Sequence, residues 1–237
     1  MIKRPGHQTR PLFCFGKIIL KINERLLAKI YRTVYFCIVN LKHMNKAEKT
    51  RQFIIEKTAP IFNVKGYSGT SINDMIEATG LTKGSIYGNF RNKDEVALAA
   101  FDFNLKKMFT AVQAEMDAQK SVKEKLLVYV RIYENFLTYP FPEGGCPILN
   151  TSIEADDTHP PLRQKAADAI YAWKNKIEAL LKKGVADNEL SADIDPEDVA
   201  ITLIALVEGG IMISKVTGKL QYRKSIMRAV KKMIDDL

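Results

Sequence analysis

The sequence predicts an all-α protein: an N-terminal three-helix helix-turn-helix head and a larger C-terminal helical domain. Three observations carry that prediction. Core-type residues recur at helical spacing in both halves, as in Ile54, Ile55, Thr58, Ala59 and Phe62. They recur again in Leu162, Ala166, Ala169, Ile170, Trp173, Ile177, Leu180 and Leu181. Helix-start signals stand before such runs at Ser71-Ile-Asn-Asp74, Asn92-Lys-Asp-Glu95 and Ser121-Val-Lys-Glu124. Residues 101–237 show neither strand-like alternation nor an internal repeat. A chain of 237 residues is long for one domain and ordinary for a small domain joined to a larger one. The divisions read as 1–43, 44–100 and 101–237.

Residues 1–43 hold nine bases and one acid, Glu24, and so carry nearly all of the net charge of +9. The head, residues 44–100, has eight bases against six acids. A high pI is therefore no argument for nucleic acid here. The longest uncharged run of the first segment, Thr33 to Leu41, is too short to span a bilayer. Lys17, Lys21, Arg25, Lys29 and Arg32 interrupt any signal-peptide core. Met44 precedes a well-formed domain start, so the segment is expected to be an upstream extension from a misplaced start. The alternative is a basic amphipathic helix on anionic lipid. Three cysteines make no dense disulfide framework and point to a reducing compartment, the cytoplasm. His7, His43 and His159 stand at no recognised zinc spacing, so no metal and no cofactor are expected.

In the head, Pro60 interrupts a helical pattern and should kink it, and Gly66 should stop the helix. Ser71 and Asp74 form a capping box for a short helix that turns Ile72, Met75 and Ile76 inward and ends at Gly80. Leu81 and Thr82 lead into a second short helix, Lys83 to Phe90, with Ile86 and Phe90 inward. Thr82, Lys83, Ser85, Tyr87 and Asn89 can bond base edges and phosphates, while Gly84 and Gly88 allow close approach. Two short helices with a glycine turn read as a helix-turn-helix; the plainer alternative is a solvated polar face.

The run from Gly66 to Phe101 resembles the DNA-binding head of the TetR/AcrR family of bacterial transcriptional repressors. The resemblance rests on Gly66-Tyr67, Thr70-Ser71, Gly80 to Ser85, Tyr87 with Phe90, and Lys93-Asp94-Glu95. It implies that Thr82, Lys83, Gly84 and Ser85 open a recognition helix that enters the major groove. It further implies that Tyr87 and Asn89 touch bases or phosphates, that Thr70 and Ser71 sit at a phosphate-facing helix start, and that Lys93 adds a backbone contact. Gly88 departs from the family, many of whose members have a larger polar residue there. The burden then shifts to Lys83, Tyr87 and Asn89.

In the body, the Ser121 helix should run to about Tyr139, and Pro140 to Pro147 should form a loop. A short piece, Ile148 to Ala155, follows. A long helix begins at His159-Pro160-Pro161 and should end at Gly184. Asp195-Pro196 starts the last element singled out, in which Val199 to Ile213 is apolar nearly all round. Fifteen residues fall short of the about 20 needed to cross a membrane, so this helix should be covered on both sides. Trp173, Ile177, Leu203, Val207, Gly210 and Ile211 are the expected contacts of a homodimer, the arrangement the resemblance favours; the alternative is burial within one chain.

Tyr129, Tyr133, Phe136, Cys146, Trp173 and Glu208 are candidate ligand contacts. Each has a plainer reading: core for the aromatics, a small buried residue rather than a redox sensor for Cys146, a capped polar contact for Glu208. No carboxylate pair stands with a nucleophile, so no catalytic site is expected. The expected protein is a ligand-responsive homodimeric repressor, with a double-stranded DNA operator and a small-molecule inducer as partners and no membrane. Competing readings are a constitutive DNA-binding protein, a helical small-molecule-binding protein or enzyme, and a membrane-surface protein acting through residues 1–43.

Overall fold

A computed structural model describes residues 45–135 and 141–237. The readings made on residues 1–43, on Met44, on Phe136 and on a helix end near Tyr139 lie outside the described residues. Those described form nine α-helices and no strand. They are α1 (Lys46–Gly69), α2 (Ile72–Thr79), α3 (Lys83–Asn89), α4 (Lys93–Asp117), α5 (Val122–Glu134), α6 (Pro147–Ala155), α7 (Pro160–Ala186), α8 (Pro196–Thr217) and α9 (Leu220–Asp235).

The helix starts are chemical. Ser71 Oγ accepts the Asp74 N–H at 3.1 Å while Asp74 Oδ2 takes the Ser71 N–H at 2.7 Å. Ser121 and Glu124 repeat that exchange at α5, and Asn92 caps α4 through the Glu95 N–H. Asp195 caps α8 by accepting from Glu197 and Asp198.

Two features of the helices differ from expectation. Helix α1 continues through Pro60, and its backbone leaves helical geometry only at Gly66, φ 74°. Asn104 of α4 donates to the adjacent Ala59 carbonyl at 2.8 Å and ties the proline turn to the core. Helix α7 passes Gly184 and ends at Ala186. Gly184 is there for proximity, since a Cβ would stand 2.7 Å from Leu190 and 3.0 Å from Val122. The left-handed turn falls instead at Asn188, φ 56°.

Helix α8 has 22 residues, not fifteen, with a mean hydropathy of 1.9 in its most apolar stretch. By length and composition it could cross a membrane, so the length argument against that fails. Its packing is the better guide: one face lies against α7, α9 and α5.

That face corrects the dimer expectation. Trp173, Ile177, Leu203, Val207 and Ile211 are all buried within the chain. Gly210 is buried too, with Ile226 and Met227 of α9 3.4 Å from where its Cβ would be. A helix apolar all round does not tell, from spacing alone, which side meets its own core. The side left bare carries Ile201 (44% exposed), Ala205, Met212 (41%), Ile213 and Val216 (81%). Gly209, whose Cβ would meet nothing within 4 Å, lies on it as well.

Candidate nucleic-acid interface and ligand cluster

The two helix-turn-helix elements are held by Met75 and Ile86, both fully buried, and by Phe90. Gly80, φ 66°, closes α2 with its N–H on the Ile76 carbonyl at 2.8 Å. Thr82 Oγ1 accepts the Ser85 N–H at 3.1 Å and starts α3. Thr82, Lys83, Gly84 and Gly88 are exposed on α3, and Ser85, Tyr87 and Asn89 are half-buried. A Cβ on Gly88 would meet nothing within 4 Å. The outward surface of α3 is thus low and open around one ammonium.

The flanks are braced by ion pairs and rings. Arg51 lies 3.9 Å from the Phe90 ring centroid and reaches Glu95 at 2.9 Å and the Asn89 carbonyl at 2.5 Å. Lys65 holds Asp74 at 2.6 Å, and that ammonium with the Ser71 cap keeps the carboxyl far below the usual range. Tyr67 donates to Asp94, which with burial pushes its phenol up to about 12. Lys93 rests 4.3 Å above the Tyr67 ring.

Two expected contacts are engaged otherwise. Thr70 is fully buried, and its hydroxyl donates to the Gly66 carbonyl at 2.6 Å. It fixes the turn into α2 and is not presented to a phosphate. The Asn89 amide nitrogen donates to Ser85 O of its own helix at 2.9 Å, so one of its two donors is engaged within α3.

In the body, the described ligand candidates come together. Trp173 lies 5.9 Å from Tyr129 and 6.1 Å from Tyr133, ring centre to ring centre. The Tyr133 hydroxyl points at Met108 Sδ, 3.9 Å away, and Cys146 Sγ lies at the same distance from that sulfur. Cys146 Sγ donates to Glu208 Oε1 at 2.9 Å, whereas Glu208 Oε2 is enclosed and has no hydrogen-bond partner among the described residues. Burial raises the Glu208 carboxyl from 4.5 to about 7. Burial and then Glu208 push the Cys146 thiol up, the reverse of what a reactive cysteine needs, so the redox-sensor reading finds no support. Among the described residues no group of three or more metal-ligating side chains is gathered.

A polar network escaped sequence reasoning. The Glu154 carboxylate of α6 accepts the N–H groups of Tyr67 and Ser68, both at 2.8 Å. Asn63 of α1 donates to the carbonyls of Glu143 and Gly145 at 2.6 and 2.9 Å. Asn150 of α6 donates to the Asn63 and Gly144 carbonyls at 3.0 Å. Lys215 of α8 donates to Gly144 O at 2.6 Å. Helix α6 therefore starts at Cys146 in the aromatic cluster and ends with Glu154 gripping the turn that leads to α2. These contacts are mostly to backbone, which leaves no spacing signal. A cavity of about 630 Å³ lies beside the network, lined among others by Phe141, Gly145, Ile211, Lys215 and Arg223.

Comparison with known proteins agrees with this architecture. The family model for bacterial regulatory proteins of the tetR family matches residues 54–100, and the tetracyclin repressor-like C-terminal domain matches residues 122–230. A TetR-family regulator from Cytophaga hutchinsonii, known as a crystal structure, is 48% identical. The match covers 82% of this chain and 98% of that one, with a TM-score of 0.80. A TetR regulator from Chloroflexus aurantiacus is 33% identical over 81% of this chain and 97% of that one, TM-score 0.76. The transcriptional repressor DhaR of Mycobacterium sp. is 24% identical over 169 residues, covering 70% of this chain and 82% of its own. With a helix-turn-helix head joined to a helical C-terminal domain, and with relatives this similar over nearly their whole length, the chain belongs to the TetR family of bacterial transcriptional regulators, which are not enzymes.

Proposed function

We propose that the protein is a homodimeric, sequence-specific repressor released from its operator by a small molecule, working in the cytoplasm. The observation that carries the DNA-binding part is α3, buttressed through Ile86 and open outward around Lys83, Gly84 and Gly88. Such a helix enters a major groove N-terminus first. Lys83 meets a phosphate or a guanine edge, Tyr87 and Asn89 reach neighbouring groups, and Ser71 and Lys93 flank the phosphates. The similarity to DhaR, a repressor, supports repression rather than activation. The bare apolar face of α8, from Ile201 to Val216, is the surface for a second copy. Two heads then read half-sites roughly 34–36 Å apart or somewhat more.

Tyr129, Tyr133, Cys146, Trp173 and Glu208 form the ligand cluster. A ligand there acts by favouring a conformer whose heads are wrongly placed for DNA. Helix α6 couples the two ends, because its first turn borders the cluster and Glu154 grips the Tyr67 and Ser68 amides.

The test is selection of bound genomic fragments by the full-length protein. Fluorescence anisotropy on the winning fragment follows, with excess unrelated DNA. Competitor-resistant binding that Lys83→Ala and Tyr87→Ala both weaken is expected. Binding that competitor DNA abolishes, or that both variants retain in full, would overturn the reading.

A further inference from the structure

We infer that the ligand is an organic cation: a protonated amine on a compact apolar frame, its nitrogen at Glu208 and its frame against Tyr129, Tyr133 and Trp173. This rests on the reading that the body takes a ligand at this cluster, and it names the chemical class.

The first observation is the enclosed carboxyl. Glu208 Oε1 is already engaged by the Cys146 thiol, and Oε2 has no hydrogen-bond partner among the described residues. A buried acceptor left without a donor is costly and rare in a folded protein. A ligand N–H supplies the missing donor. The second observation is the surroundings. Three aromatic rings lie within about 6 Å of one another, centre to centre, and their faces attract a desolvated cation. The titratable groups facing Glu208 are the Cys146 thiol on the turn into α6 and the Tyr133 phenol on α5, and burial keeps both neutral. Among the described residues no cation shifts the Glu208 carboxyl; burial raises it and the thiol hydrogen bond lowers it. An arriving ammonium would therefore be its counter-charge.

The third observation is access. None of the five cluster residues lines the 630 Å³ cavity, but three of its lining residues adjoin the cluster. Phe141 lies 5.5 Å from Tyr133, Gly145 precedes Cys146, and Ile211 stands one helical turn beyond Glu208. Lys215 and Arg223 line the same cavity, so an anion is the competing occupant that an experiment must separate.

Trp173 is the sole tryptophan of the chain and lies in the cluster, so its emission reports occupancy directly. Three optically silent probes of one shape and different charge suffice: 1-adamantylmethylammonium, 1-adamantanemethanol and 1-adamantanecarboxylate. With the full-length protein at neutral pH, the ammonium should bind about tenfold or more tightly than the alcohol. Glu208→Gln should erase that preference by lowering the ammonium's affinity about tenfold or more. Equal or tighter binding of the alcohol or the carboxylate by the unaltered protein would overturn the inference, and that comparison needs no variant. Persistence of the preference in Glu208→Gln, or no binding of any probe, would overturn it as well. Operator binding, followed in parallel, separates the two proposals. Ammonium binding without DNA release would uphold the cation and overturn release, whereas release by the carboxylate would do the opposite.

Discussion

Replacing Glu208 with glutamine should alter stability by an amount that depends on pH. The folded carboxyl titrates at about 7, against an ordinary 4.5, because it is buried. The folded-state value lies above the unfolded one, so the unfolded chain releases this proton first. Stability from this group is fully present below about 4.5 and is lost as pH rises to about 7. The whole loss is roughly 3 kcal/mol, at about 1.4 kcal/mol for each tenfold change in proton affinity. Between pH 5 and pH 8 the portion traversed is about 2.5 kcal/mol. Glutamine carries no such dependence. It keeps an oxygen for the Cys146 thiol but buries an amide with two donors, which costs about 1–2 kcal/mol at every pH. The variant should thus be less stable than the parent at pH 5 and more stable at pH 8. Urea unfolding at the two pH values, at one fixed protein concentration, measures the difference. In thermal melts the relative midpoints should move by roughly 5–10 °C. A variant-minus-parent difference that changes by less than about 1 kcal/mol across this range would refute the assignment of a buried, displaced carboxyl.

The turn after α1 makes a second test. Gly66→Ala places a Cβ 2.3 Å from Glu154 Oε2 at φ 74°, and should cost about 2 kcal/mol or more, part of it recovered in a Glu154→Ala background. Strict additivity in urea melts would contradict the contact. Thr70→Val should lower stability by about 1 kcal/mol and leave operator affinity nearly unchanged, whereas Lys83→Ala should do the reverse. Melting curves and anisotropy on the same samples distinguish them. Ile201→Glu combined with Met212→Glu should convert a dimer into monomers in sedimentation velocity without unfolding the chain. Leu203→Ala, from the buried side of the same helix, should instead cost about 2–5 kcal/mol by opening a cavity.

Much of the fold was legible because its punctuation is local. Ser71, Asn92 and Ser121 announce their helices through oxygens that bond amides three residues ahead, and such short-range chemistry survives in a linear text. Gly80 could be read as a stop for the same reason. Gly184 could not, because its role is set by Leu190 and Val122 touching it across the fold rather than by its own backbone. The recognition helix was legible as a polar run on two inward residues, Ile86 and Phe90. Thr70 was misread, since nothing in its spacing reveals that its hydroxyl is spent on Gly66 O. The apolar helix α8 shows the limit of periodicity most clearly. With no polar stripe to orient it, Leu203 and Ile201 look alike in sequence, yet one is buried and the other 44% exposed. Glu154 carries no signal in the sequence, because its partners are backbone amides 86 and 87 residues away.

The bare flank of α3 bears on how this regulator could acquire a new operator. Gly88 stands in mid-helix with empty space where a side chain would go. Almost any residue placed there would raise helix propensity, by about 1 kcal/mol for alanine. Diversification at this position therefore begins with a stability surplus rather than a deficit. Each new side chain would project toward the groove without disturbing Ile86 or Phe90 beneath. A lineage, or a library, could explore fresh half-site sequences through this single codon while the scaffold stays intact.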